Sequence, residues 1–187
     1  MITDLYPLMN LIKRNCHSPK EGLSMYDLMQ LWRSIKERCR TRKAYEDCEM
    51  CEEWKRDSKA FCKWAIDNLY QCNGEHLQID KDLLGNGKKT YSPETCCFLP
   101  ATINSMLVTN RDKLRVLPVG VSILKNGKYM ATIRHQDGCL TKTFDNIEEA
   151  REFYRTNKKK YILKAANAYK QWLPEHIYNA LLSYEIS

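Results

Sequence analysis

At 187 residues and 43% hydrophobic content, the chain can build one ordinary domain or two small ones, which excludes disorder as the default. The formal charge of +7 is localised: residues 111–170 hold 14 Lys/Arg against 6 Asp/Glu, leaving 16 against 17 elsewhere, so the positive field belongs to one segment and points to a polyanion surface there. No window approaches the roughly 18 apolar residues that span a bilayer, Asp4 stands where a signal peptide needs a basic leader, and nine cysteines, an odd number, read as free thiols; the expectation is a cytoplasmic protein with no membrane partner.

In chain order, residues 1–23 read as a tail and linker, with Pro19 and Gly22 in a polar stretch. Ser24 opens a first helix with Asp27 three positions on, and Leu28, Met29, Trp32, Ile35 and Cys39 recur at helical spacing. A second helix is predicted over 57–70, with Phe61, Trp64, Ala65 and Leu69 on its apolar side, and the charged stretch 40–53 between the two is predicted to be irregular. The helical spacing of Trp32, Trp54, Phe61 and Trp64 assigns them to the core and not to base stacking. From His76 the period becomes two: Leu77 and Ile79 alternate, Gly85-Asn86-Gly87 makes a turn and Cys97-Phe98-Leu99 forms a second apolar run, which predicts a β-hairpin. Pro100 then opens a helix with Ile103, Met106 and Leu107 facing inward.

After a charged break at 109–115, Val119, Val121 and Ile123 alternate up to Asn126-Gly127. Tyr129, Ala131 and Ile133 alternate after it, and Asp137-Gly138 leads to a third strand ending at Phe144. Asp145 caps a helix with Glu148 at its third position and a stripe of Ile147, Ala150, Phe153 and Tyr154; helix continues or restarts to Trp172, and Pro174 opens a last short one. A three-stranded sheet covered by one helix leaves its other face bare. That face and its turns are expected to hold Lys125, Lys128, Arg134, His135 and Lys142, a basic ribbon narrow enough for a major groove of about 12 Å. An ordinary solvated sheet is the alternative. Lys158, Lys159 and Lys160, with Arg155 and Lys164 a turn away, either grip phosphate beside the sheet, with Lys158 and Lys159 the nominated contacts, or form a solvated helix face. Cys48 and Cys51 with Cys96 and Cys97 invite zinc, but adjacent cysteines chelate one ion awkwardly, so zinc is not expected.

Two resemblances extend this reading. The run LPVGVSILKNGKYMATIRHQDGCLTKTFDNIEEAREFY resembles an AP2 domain, with Gly120-Val121, Lys128-Tyr129, Ala131, Ile133-Arg134, Phe144, Glu149-Ala150 and Tyr154 in the family's order. The likeness implies a sheet lying in the major groove with Arg134 on a base and Lys125, Lys128 and Lys142 on phosphates or bases; Thr141-Lys142-Thr143 departs from the family's usual Leu-Gly. Upstream, Trp32, Arg38-Cys39, Tyr45, Cys51-Glu52-Glu53-Trp54, Phe61, Ile79-Asp80-Lys81-Asp82, Tyr91-Ser92-Pro93-Glu94 and Asn104 resemble phage HNH proteins of the kind that often carry an AP2 module downstream. In such nucleases a carboxylate and an asparagine or histidine hold one divalent ion, and a histidine at the end of the first strand activates water. The likeness thus nominates Asp80, Lys81 and Asn104 as catalytic, with Asp80 and Asn104 the ligands of Mg²⁺ if the site is active. Lys81 stands in the histidine's place, and Thr95 where the middle asparagine is expected. A lysine near its ordinary pKa of about 10.4 is a poor base at neutral pH. Asp80 and Asp82 flanking a turn, Asn104 on a solvated helix and Lys81 touching phosphate only electrostatically are the bland counterparts.

The expectation is therefore an α+β chain: a helical N-terminal region and an HNH-like ββα unit over 24–110, then an AP2-like three-stranded antiparallel sheet plus helix, with further helices, over 111–187. Its expected function is that of a phage or mobile-element homing-type DNA endonuclease working on double-stranded DNA in a bacterial cytosol. The alternative is an inactive DNA-binding or protein-binding derivative, a regulator or an inhibitor of a host enzyme or defence complex. Whether the chain is an enzyme at all stays open at this point.

Overall fold

The structure, a computed structural model, describes residues 25–41, 45, 47–107, 116–135 and 138–186. The expected tail and linker, the Ser24 cap, the break at 109–115 and Asp137 lie outside those residues. The fold is α+β, and the chain divides into two compact units: Met1–Ala101 with Gln171–Ile177, and Thr102–Lys170 with Tyr178–Ser187. Among the described residues no helix is long and apolar enough to cross a membrane.

The first unit is organised around aromatic side chains. Helix α1 (Met25–Thr41) buries Leu28 and Ile35, one helical repeat of seven apart, so a single stripe faces inward. Strand β1 (Glu49–Met50) and helix α2 (Glu52–Arg56) occupy the stretch expected to be irregular. Helix α3 (Ser58–Asn68) starts where Asp57 accepts a hydrogen bond from the Lys59 N–H at 2.8 Å. Trp54 and Phe61 meet edge to face at 5.0 Å, Trp64 lies 4.8 Å from Trp54 and stacks on Phe98 at 5.5 Å, and the Trp32 indole donates to the Trp54 carbonyl at 2.7 Å. Strand β2 (Leu77–Asp80) pairs antiparallel with β4 (Cys97–Pro100), Asp80 opposite Cys97. Between them β3 (Thr90–Tyr91) pairs in parallel with β1, so the expected hairpin has a long, folded connection and not a tight turn. The Asn-Gly turn does form, with Asn86 at φ 46° and Gly87 at φ 84°, but inside that connection. Helix α4 (Ala101–Leu107), which from Thr102 on is counted with the second unit, follows β4 directly and begins at the residue after Pro100.

The second unit carries β5 (Val121–Ile123), β6 (Tyr129–His135) and β7 (Gly138–Phe144) in that spatial order, all antiparallel. The β5–β6 loop has only Gly127 at positive φ, 80°, so it is not the two-residue Asn-Gly turn its sequence suggests. Helix α5 (Ile147–Tyr169) is continuous, and its N-cap is Asn146, whose side chain accepts from the Glu148 N–H at 2.7 Å; the expected cap, Asp145, pairs instead with Lys128 at 2.8 Å. Ala150, Tyr154 and Ile162 are buried under it, with Val121, Ala131 and Ile133 buried on the sheet. Helix α6 (Glu175–Ser183) follows Pro174 as expected.

Candidate functional site

The Asp80 loop begins where β2 ends. Asp80 Oδ1 accepts the backbone N–H of Asp82 at 3.0 Å and of Leu83 at 2.8 Å, so its carboxylate closes the turn leaving the strand. Burial raises its pKa above the ordinary value near 3.8, against the pull of those two donors. Lys81 is only 5% exposed. Its ammonium pairs with Asp82 Oδ1 at 2.8 Å and lies 5.6 Å from the Tyr91 ring centre. Burial alone would lower its pKa, but the hydrogen bond and charge of Asp82, with Cys48 and Asp80, move it upward on balance. That is the wrong direction for a general base, which must be deprotonated near neutral pH. Beneath the loop, Gly85 has no space for a side chain: a Cβ would sit 2.4 Å from the Lys81 carbonyl oxygen.

Thr95, at the position expected to hold an asparagine, is buried and pins the same connection. Its hydroxyl donates to the Thr90 carbonyl at 2.5 Å and accepts from the Ser92 N–H at 3.1 Å. Cys96 beside it is pushed up to about 12 by burial, so at neutral pH it stays a thiol. Asp80 and Asn104 fall in different units. Among the described residues no three His, Cys, Asp or Glu side chains gather as a metal-holding group. A hard divalent ion wants several oxygen ligands. With Asp80 Oδ1 committed to two backbone donors, only its other carboxylate oxygen could face such an ion, too few ligands by itself to hold it.

Two substitutions separate a structural Asp80 from a ligand. Asp80→Asn keeps an oxygen for both N–H donors and removes a charge whose burial is unfavourable, whereas Asp80→Ala removes the acceptor. Because the folded carboxyl has the higher pKa, its contribution to stability is full below the unfolded value and declines as pH rises through the folded one. Urea unfolding at neutral pH should therefore show Asp80→Asn at or above the wild-type stability and Asp80→Ala lower by about 1–2 kcal/mol. Equal loss in both would contradict the capping role.

In the second unit, directly paired residues of antiparallel strands share a face. Ala131 and Ile133 face α5, and so do their partners Lys142 and Leu140. The Lys142 ammonium sits over the Phe144 and Phe153 rings at 5.2 and 5.4 Å. His135 is on the same side, stacked on Tyr161 of α5 at 4.0 Å. These two therefore leave the bare face on which they were expected, and of the strand residues nominated only Arg134, opposite Cys139 and exposed, belongs to it. Lys125 and Lys128 are exposed at the β5–β6 loop, Lys128 held to Asp145. Lys158 is buried, 6% exposed, in the stripe of Tyr154 and Ile162, and burial lowers its pKa. Lys159 donates to the Tyr184 carbonyl and lies 3.8 Å from Glu185, which ties α5 to the C-terminal residues. The basic residues thus divide between the loop, the helix side and the open face instead of gathering on one surface. Met130, Thr132, Thr141 and Thr143, which do occupy the open face, carry no charge to draw attention, yet counting outward from Ala131 and Ile133 finds them.

No protein-family model matches the chain, and no curated protein or solved structure matches it either.

Proposed function

We propose that this chain is a double-stranded DNA-binding protein that presents the open face of β5, β6 and β7 to the major groove, and that its Asp80 loop serves the fold and not phosphodiester hydrolysis. The observation that carries the reading is a sheet that, among the described residues, is covered by α5 on one side, with Arg134 exposed on the other. Three strands at a spacing of about 4.8 Å make a backbone ribbon roughly 10 Å wide, which suits a major groove about 12 Å across. Arginine is the side chain best shaped to grip guanine O6 and N7. The likeness of residues 117–154 to AP2 domains supports the same docking. Binding without cleavage suits a regulator, or an inhibitor that holds a host enzyme or defence complex.

An HNH-type endonuclease is the second reading, favoured by the chain order of β2, connection, β4 and α4 with Asp80 at the end of β2. One experiment separates the two: supercoiled and linear DNA incubated with Mg²⁺ or Mn²⁺, beside an Asp80→Ala, Asn104→Ala double variant. The expected result is salt-sensitive binding with no nicking. Divalent-dependent nicking that the double variant loses would establish the endonuclease instead. Arg134→Ala should weaken duplex binding by about 1–3 kcal/mol, or roughly 5- to 150-fold. Unchanged affinity would remove Arg134 from the contact surface.

A further inference from the structure

The open face of the second unit's sheet carries methyl groups where a reader built on charge would carry lysines. Ser122 projects there from β5, Met130, Thr132 and Arg134 from β6, and Cys139, Thr141 and Thr143 from β7. Met130 lies directly opposite Ser122 on one side and Thr143 on the other, and Thr132 lies opposite Thr141. Opposed Cβ atoms are about 5 Å apart, so one thioether methyl and three threonine methyls share a small patch. Thr141 and Thr143 are exposed and Thr132 and Met130 half-buried. Among the described strand residues Arg134 is the one charged side chain of this face.

We propose that this patch reads the C5 methyl groups of pyrimidines in the major groove, so that the preferred duplex carries thymine or 5-methylcytosine next to an Arg134-contacted guanine. The inference rests on the DNA-binding reading above. The thymine methyl is the apolar group that a standard base pair displays in the major groove, and threonine methyls are suited to meet it. Threonine is also stiff at χ1, so the methyls are held in place before binding and little freedom is lost on contact. A hydroxyl on the same carbon remains free to bond a base edge. Positive charge at the rim, from Lys125 in the β5–β6 loop, matches the phosphates flanking such a site.

The test uses the full chain. A duplex is selected from a library with a randomised core, then remade with deoxyuridine in place of thymidine, and both are titrated at one salt concentration. Burial of a methyl corresponds to about a fourfold change in affinity, so the uracil duplex should bind about fourfold more weakly for each methyl contacted. Thr132→Ser and Thr143→Ser keep the hydroxyl and delete only the methyl, and each should shrink the thymine-to-uracil ratio while circular dichroism stays unchanged. Binding with equal affinity for the two duplexes overturns the methyl proposal and leaves the DNA-binding reading standing, as does a ratio untouched by both serine variants. Failure to select any duplex overturns both and turns attention to a protein partner for this face.

Discussion

Gly120→Ala is expected to destabilise the second unit by about 2–5 kcal/mol. Two independent causes add. Gly120 sits at φ +74°, a left-handed conformation that costs a residue with a Cβ about 1–2 kcal/mol. A Cβ there would also fall 2.0 Å from Cε2 and 2.1 Å from Cδ2 of the Tyr154 ring. Tyr154 is a buried side chain of α5, and displacing its ring within a packed interior turns the overlap into strain of about 1–3 kcal/mol. The Gly120 carbonyl accepts the Thr132 N–H at 2.8 Å, and exchange of that amide is the local readout, alongside urea unfolding followed by far-ultraviolet circular dichroism. Tyr154→Ala alone leaves a cavity, yet combined with Gly120→Ala it removes the collision, so the double variant should cost clearly less than the sum of the singles. Strict additivity would show that the ring is not the obstacle, and a Gly120→Ala protein as stable as the wild type would contradict both causes.

How much of this could be read beforehand depends on the range of the signal. The helices α1, α3 and α5 are legible because their apolar residues repeat at 3.6, and Asp57 and Asn146 are polar groups of the kind that cap; the adjacent Asp145 is equally suited to cap by type, but it pairs with Lys128 instead. Strands β5, β6 and β7 were legible from alternation. The same alternation, carried one step further, places Lys142 inward between Leu140 and Phe144, and a long stem lets its ammonium reach the two rings. Lys158 repeats the lesson on a helix: it is four residues from both Tyr154 and Ile162, and that spacing outweighs its membership of a lysine run. By contrast, the two-residue strands β1 and β3 have no local signature, since their pairing joins distant loops. The double acceptance by Asp80 was equally hidden, because it depends on the backbone path of residues 81–83 and not on any residue type.

Trp54→Ala should destabilise the first unit by about 3–5 kcal/mol, the range for deleting a large aromatic side chain from a packed interior. Trp54 is 1% exposed and touches both Phe61 and Trp64, and through Trp64 the stack reaches Phe98 on β4. Removing the indole therefore opens a cavity at the junction of α2, α3 and the β2–β4 pair, the pair that carries Asp80. The hydrogen bond from Trp32 ends on the Trp54 main-chain carbonyl and survives the substitution, so the loss reports packing alone. The remaining tryptophans, Trp32, Trp64 and Trp172, all belong to the first unit, so tryptophan fluorescence in urea follows it directly. The urea midpoint should fall with an unchanged slope, and Trp54→Phe, which restores a ring facing Phe61, should recover much of the difference. A midpoint displaced by less than the equivalent of about 1 kcal/mol would mean that the aromatic stack is not the core of this unit, and the Asp80 loop would then need another support.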